Sequence, residues 1–212
     1  MRLYPIRTPR IIQRIFSNYT WCFQSIKKEL FLTFDDGPTP EVTEFVLDTL
    51  DKYNAKATFF CIGKNVVNHP EIFQRIHNAG HSIGNHTHNH YNGWKHSTKE
   101  YISNIKLTEN HIQKEYDFKT TLFRPPYGRI TSKQTKELLK NGYKIIMWSV
   151  LSADFDKNIS KEKCLENVLK NTKNGDLIVF HDSLKASEKL NYVLPKILTY
   201  YSEKGFEFKS IV

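Results

Sequence analysis

Two adjacent carboxylates, Asp35 and Asp36, stand where the apolar run 30–34 meets the turn pair Gly37 and Pro38. The run has strand composition and the Gly-Pro pair stops it, which places both acids in a loop mouth at a strand's tip. Neighbouring carboxylates there can divide the work, one binding a cation and the other moving a proton. Further along, His86 and His90 lie four residues apart, a spacing that brings two side chains to one side of a helical turn. Two neutral imidazoles and one carboxylate make three protein ligands for a zinc-like cation and leave a coordination position open, as catalysis at a metal requires. His88, between them, is expected to point away. Arg124-Pro125-Pro126-Tyr127-Gly128 follows the apolar residues 121–123, and its proline pair fixes a rigid loop beyond a strand, with Arg124 facing the same end as Asp35. The buried-looking run 178–180 ends on His181 and Asp182. Taken singly, each feature has a plainer reading. These are a solvated Asp-Asp turn, a surface loop in a chain with 9 His, a surface ion pair at Arg124 and a satisfied strand-end histidine.

In their order along the chain, TFDDGP at 33–38, His-Thr-x-x-His at 86–90, RPPYG at 124–128 and the His181 strand end resemble the motifs of the polysaccharide deacetylase family, the NodB-like carbohydrate esterases of family 4. The resemblance runs from about residue 29 to 211. It departs at the fourth motif, usually Asp-x-x-Asp-Trp, where this chain has Leu151-Ser152-Ala153-Asp154-Phe155. Leu151 cannot accept a hydrogen bond, and Phe155 keeps an aromatic wall without the indole donor. The resemblance implies a distorted (β/α)7 barrel of NodB-homology type. It also implies roles. Asp36, His86 and His90 hold a divalent metal, zinc first, with cobalt, nickel or manganese as alternatives. Asp35 is the general base, kept ionised and oriented by a bidentate contact from Arg124. The metal and the Tyr127 N–H stabilise the oxyanion, an effect worth about 3 kcal/mol per donor. His181, held by Asp154, protonates the leaving amine. Val179 lines the acetyl pocket, and Pro126 and Phe155 complete the substrate-binding surface.

These residues need a scaffold that delivers them to one end. Short apolar runs alternate with helical patterns, which argues for parallel β/α units. Strands are expected near 30–34, 57–62, 81–84, 121–124, 143–150, 176–181 and 206–210, and helices near 41–53, 66–79, 98–116, 132–141, 160–171 and 188–204. Gly80, Gly142, Gly175 and Gly205 are read as helix-ending residues. In this scheme Asp35, Asp36, His86, Arg124, Asp154 and His181 all follow strand C-termini, the face where β/α barrels carry their chemistry.

A chain of 212 residues makes one domain that buries roughly 70% of its unfolded surface. Residues 29–212 are read as the catalytic domain and 1–28 as an N-terminal extension. That extension carries Arg2, Arg7, Arg10 and Arg14 and is read as a basic amphipathic cap with Ile11, Ile12, Ile15 and Phe16 on one face. Cys22, Cys61 and Cys164 are odd in number and lack CxxC spacing, so buried free thiols are expected. The net charge of +9 is spread along the chain, with lysines at helix-like spacings from 133 to 173, which disfavours nucleic acid as a partner. No stretch reaches the roughly 20 apolar residues of a membrane span and no secretory core is seen, so the location defaults to cytoplasmic, with action at the cell envelope open. The expected activity is metal-dependent removal of acetyl groups from N-acetylglucosamine units of a peptidoglycan-like or chitin-like polysaccharide. An O-acetyl esterase and a non-catalytic glycan-binding relative are the alternatives. A two-histidine, one-carboxylate iron oxygenase is disfavoured because nothing alternates like an antiparallel jelly roll. The polymer and the oligomeric state are not legible.

Overall fold

The structure is a computed structural model that describes residues 4–212. Arg2 and the other residues of 1–3 lie outside the described residues. The centre of the sheet is β1 (Glu29–Asp35), buried on both faces as a parallel strand under helices must be. Its period of two sorts the side chains. Leu30, Leu32 and Phe34 join the large core under the helices, while Phe31 joins the smaller core inside the curl with Phe60, Leu122 and Leu177. Thr33 and Asp35 continue that inward row toward Arg124. Phe34 stacks between Phe59 and Phe180, with ring centroids 5.1 and 5.9 Å away.

Around β1 lie β2 (Thr58–Cys61), β3 (Ser82–Asn85), β4 (Leu122–Phe123), β5 (Lys144–Ile145), β6 (Val150–Leu151), β7 (Leu177–His181) and β8 (Glu207–Phe208). All are parallel, in the order β5-β4-β3-β2-β1-β7-β6, with β8 added to the start of β1. The result is the curled parallel sheet expected of a distorted (β/α)7 barrel. The strand expected over 143–150 is two short strands, because its first half pairs with β4 and its second half with β7. One segment therefore supplies the strands at both ends of this order.

The helices are α1 (Arg10–Ile15), α2 (Val42–Lys52), α3 (Gly63–Asn68), α4 (Pro70–Asn78), α5 (Thr98–Tyr116), α6 (Ser132–Lys140), α7 (Lys161–Asn171) and α8 (Ser187–Glu203). The single helix expected over 66–79 is broken, since Pro70 has no N–H to continue α3 and instead opens α4. Ser97, Thr131 and Ser160 cap α5, α6 and α7 through their hydroxyls. Gly80, Gly142 and Gly205 take positive φ just past α4, α6 and α8. Gly175 also has positive φ, but it sits in the turn before β7, where a Cβ would lie 1.9 Å from the Phe23 carbonyl oxygen.

The N-terminal residues run across the break between β5 and β6. Thr20 N–H donates to Ile145 O at 2.9 Å, Met147 N–H to Thr20 O at 2.8 Å and Thr8 N–H to Ser149 O at 2.9 Å. Arg7 pairs with Asp176 at 2.6 Å. The expected apolar face of this segment is divided. Ile12 packs on the core, whereas Ile11 (61%), Ile15 (67%) and Phe16 (48%) are exposed. Cys61 and Cys164 are buried thiols as expected, but Cys22 is exposed, because its strand-like segment lies on the outside of the turn at Asp176.

Candidate active site

Parallel register sets the first pair of residues side by side. Asp35 at the end of β1 is level with His181 at the end of β7. The next residue, Asp36, takes a φ of 83°, which turns its side chain away from its neighbour, so the two carboxylates serve different partners. The turn that follows is held by Asp182, whose Oδ1 accepts the Gly37 N–H at 3.0 Å and whose Oδ2 accepts the Thr43 hydroxyl at 2.6 Å. A Cβ on Gly37 would stand 2.0 Å from Asp182 Oδ2, so only glycine fits. Burial pushes the Asp182 carboxyl up to about 7, against the lowering effect of its Thr43 and main-chain hydrogen bonds. Asp182 had no assigned role in the sequence reading; a carboxylate directly behind a strand-end histidine was its only signal.

His86 and His90 come together without a helix. Residues 86–90 form an irregular loop after β3, with positive φ at Thr87 (63°) and His90 (54°). Side chains pin its backbone. Asn85 Oδ1 accepts Thr87 N–H at 2.8 Å, and Asn104 Oδ1 accepts the N–H groups of His88 and Asn89 at 2.8 and 3.0 Å. The two rings therefore meet through this loop and not through the helical turn expected from their spacing. His86 Nδ1 lies 2.8 Å from the Arg124 carbonyl oxygen, which fixes that nitrogen as the donor and leaves the Nε2 lone pair facing inward. Burial holds His86 down at about 4, so the ring is neutral at ordinary pH. His88 turns aside, its Nδ1 lying 2.6 Å from where a Cβ on Gly63 would stand.

Nε2 of His86 and of His90 lie 3.8 and 3.2 Å from Asp36 Oδ1. One donor atom from each of the three residues falls within 4.8 Å of the others. Asp36 Oδ1 is buried with no hydrogen-bond donor aligned on it, although burying an unsatisfied carboxylate oxygen is costly. Burial pushes this carboxyl up, but His90, His181 and His86 outweigh it and hold it well below the usual carboxylate range. A charged oxygen and two imidazole nitrogens converging on one point are the donor set that a divalent cation completes.

Arg124 is fully buried under the site, with all three of its side-chain nitrogens hydrogen-bonded. Nη1 donates to Asp35 Oδ1 at 2.7 Å and to Thr33 Oγ1 at 2.7 Å, Nε to Ile146 O at 3.2 Å and Nη2 to Met147 O at 2.8 Å. The guanidinium also lies 4.2 Å from the Phe60 ring centroid. Its contact with Asp35 is therefore through one nitrogen, and the expected bidentate grip is corrected. The break between β5 and β6 leaves the Ile146 and Met147 carbonyls without strand partners, and Arg124 satisfies them with the rest of its fork.

Across the site, His181 Nδ1 is 2.8 Å from Asp154 Oδ1. Burial alone would push His181 down, but Asp154, with Asp36 and Asp35 behind it, raises it to about 9. Val179 is buried two residues earlier on the same inward row of β7. The Phe155 and His181 rings meet edge to face with centroids 5.1 Å apart, and Phe155 is flanked by Tyr4 at 5.4 Å and Lys185 at 5.6 Å. The sequence reading missed Tyr4 and Lys185, which carry no motif. Pro126 is buried, whereas Tyr127 is exposed with a φ of 61° and its ring 4.6 Å from His90.

A family model described as polysaccharide deacetylase matches residues 24–146. The chain belongs to the polysaccharide deacetylase family. It is 38% identical over 190 residues to a peptidoglycan-N-acetylglucosamine deacetylase of Bacillus cereus, covering 87% of this chain and 67% of the relative. The solved Bc1960 peptidoglycan N-acetylglucosamine deacetylase, in complex with 4-naphthalen-1-yl-N-oxidanyl-benzamide, superposes with a TM-score of 0.88 at 35% identity, covering 96% of this chain and 95% of that one. BA3943 of Bacillus anthracis, a CE4 family pseudoenzyme, superposes with a TM-score of 0.81 at 25% identity, over 90% of this chain and 66% of that one. Deacetylases of this family act on amide carbon–nitrogen bonds and depend on a divalent metal, for which this chain has a matching donor set. Among the described residues, no helix is long and apolar enough to cross a membrane.

Proposed function

We propose that this chain removes the N-acetyl group from N-acetylglucosamine units of peptidoglycan, with zinc as its metal, and releases acetate. The observation that carries this reading is the flanking of the Asp36, His86 and His90 set by the Asp35–Arg124 pair on one side and the Asp154–His181 pair on the other. The polymer is that of the Bacillus cereus relatives. Asp36, His86 and His90 would hold the zinc, which supplies Lewis acidity that polarises the acetyl carbonyl and acidifies a neighbouring water.

The chain's own groups divide the rest. Arg124 occupies one oxygen of Asp35 and keeps the carboxylate ionised. The other oxygen takes a proton from the water that attacks the acetyl carbon. The Tyr127 main-chain N–H donates to the oxyanion that develops, while Pro126, Val179 and Phe155 wall the space around the acetyl group. His181, protonated at neutral pH, gives its proton to the amine nitrogen as the carbon–nitrogen bond breaks. Acetate and a free amino sugar leave, the proton on Asp35 passes to solvent, and His181 takes a proton back from solvent to restore the starting state.

The test is acetate release from purified peptidoglycan and from chitopentaose, before chelation, after it and again with zinc restored. Release restored by zinc, and faster on peptidoglycan, supports the reading. Release from neither polymer with metal bound overturns it in favour of O-acetyl substrates or of a non-catalytic relative.

A further inference from the structure

The site does not end at His90. A cavity of about 380 Å³ opens beside it, within the range of small-ligand pockets. His90 and Tyr127 form its metal side, and Tyr91, Lys95, His96 and Arg129 its far side. No carboxylate lines it, and neither Lys95 nor Arg129 makes an ion pair among the described residues. Two cations with no acid partner thus face one groove that holds no carboxylate of its own.

The loops that carry the two cations are also held in place. Gln134, fully buried, donates its amide to the carbonyls of Gly93 and His96 at 2.8 and 3.1 Å. Gly93 N–H donates to Arg129 O at 3.1 Å, and a Cβ on Gly93 would lie 2.5 Å from that oxygen. The loops that carry Lys95 and Arg129 are therefore clamped to each other at closest approach. Arg129 rests 5.0 Å over the Trp94 ring, whose Nε1–H donates to Ile130 O at 3.2 Å. Tyr91 stacks on His96 at 3.7 Å with 5° between planes, so the cavity wall includes one stacked aromatic pair.

Aromatic faces suit the apolar faces of a pyranose ring, and paired cations suit a carboxylate. We infer that this cavity is a subsite for the sugar next to the one deacetylated, and that Lys95 and Arg129 recognise a carboxylate carried on that sugar. In peptidoglycan the carboxylate is either the free lactyl acid of N-acetylmuramic acid or those of a peptide attached through it. The inference rests on the glycan-deacetylase reading and adds a charge preference that a neutral chitin-like polymer does not satisfy.

Three substrates and the Lys95→Gln, Arg129→Gln double variant of the zinc-loaded full chain test it. The substrates are chitopentaose, peptide-free peptidoglycan fragments and peptide-bearing fragments. The double variant is expected to lose about tenfold in kcat/KM on an acid-bearing fragment, mostly through KM, as two solvent-facing charge contacts warrant. On chitopentaose it should stay within about twofold, since neither residue touches the reacting amide. A loss on peptide-free fragments assigns the lactyl carboxylate, and a loss confined to peptide-bearing ones assigns the peptide. An equal change on all three substrates, or none on any, overturns the inference. Calorimetric binding of the same fragments separates the two readings. If no glycan releases acetate, the deacetylase reading fails, while weaker binding of the acid-bearing fragments to the double variant still supports the subsite.

Discussion

Asp154 grips His181 at two points, with Oδ1 2.8 Å from Nδ1 and Oδ2 accepting the main-chain N–H at 2.7 Å. The second contact fixes the strand end and the first fixes the ring, so the imidazole can present only its Nε2 to the site. The charge of Asp154 also keeps the ring protonated at neutral pH.

Asp154→Asn should therefore do more than lower the rate. A general acid works in its protonated form, so activity is lost as pH rises through its pKa. Without the Asp154 charge that pKa falls, and the basic limb of the kcat/KM profile should move to lower pH. His181→Ala should remove the limb and cost about 10²- to 10⁴-fold in kcat. An unmoved limb in Asp154→Asn would show that another group sets it.

Asp35→Asn should abolish turnover while metal content stays near one ion per chain. The variant keeps an acceptor for Arg124 but removes the charge that balances a fully buried guanidinium. Breaking a buried pair costs about 3–5 kcal/mol, so a lower Tm is expected alongside lost activity. Loss of metal in this variant would make Asp35 a ligand and exchange the roles of the two aspartates.

His86→Ala and His90→Ala should each lose both metal and activity, measured by elemental analysis and acetate release. His88→Ala should keep its metal, because that ring lies under α3 and outside the donor set. A metal-free His88 variant would place the ligands in a different register.

Acid should weaken the fold through His81, a residue remote from the chemistry. Burial, assisted by Lys56, holds this ring at about 4, and its Nδ1 accepts the Ala57 N–H at 3.3 Å. The unfolded chain takes up a proton near 6.5, so the stabilisation is present above that pH and is lost as pH falls toward 4. His81→Leu leaves the Ala57 N–H unsatisfied at a pH-independent cost of about 1–3 kcal/mol. Its Tm should accordingly be lower throughout but fall less steeply between pH 6.5 and 4. A slope equal to that of the parent chain would sink the argument.

The strand tips were legible in the sequence because buried parallel strands are nearly continuous apolar runs, and Asp35 and His181 each end one. What the runs could not reveal is which edges they join. Residues 143–150 look like one strand, yet the two halves of this segment pair with β4 and β7, and the carbonyls freed between them account for how Arg124 uses its donors. Periodicity also fails where side chains replace backbone pairing. Thr87 and His90 adopt positive φ because Asn85 and Asn104 hold their loop, and no local spacing encodes such distant partners. Ile11, Ile15 and Phe16 form a helical apolar stripe, but their short helix lies over the outside of the sheet's seam and leaves them in solvent.

The seam has a consequence for the order in which the molecule can form. β1 is the first strand synthesised, yet it pairs with β7 along residues 31–35 and with β8 at its start, while Arg7 waits for Asp176. None of these partners exists until residues 176–208 have been made. The nascent chain must therefore carry its central strand with one edge unpaired until then. Contacts of such long sequence separation make for slow folding, and the vulnerable species is the nascent chain in which β1 still lacks β7.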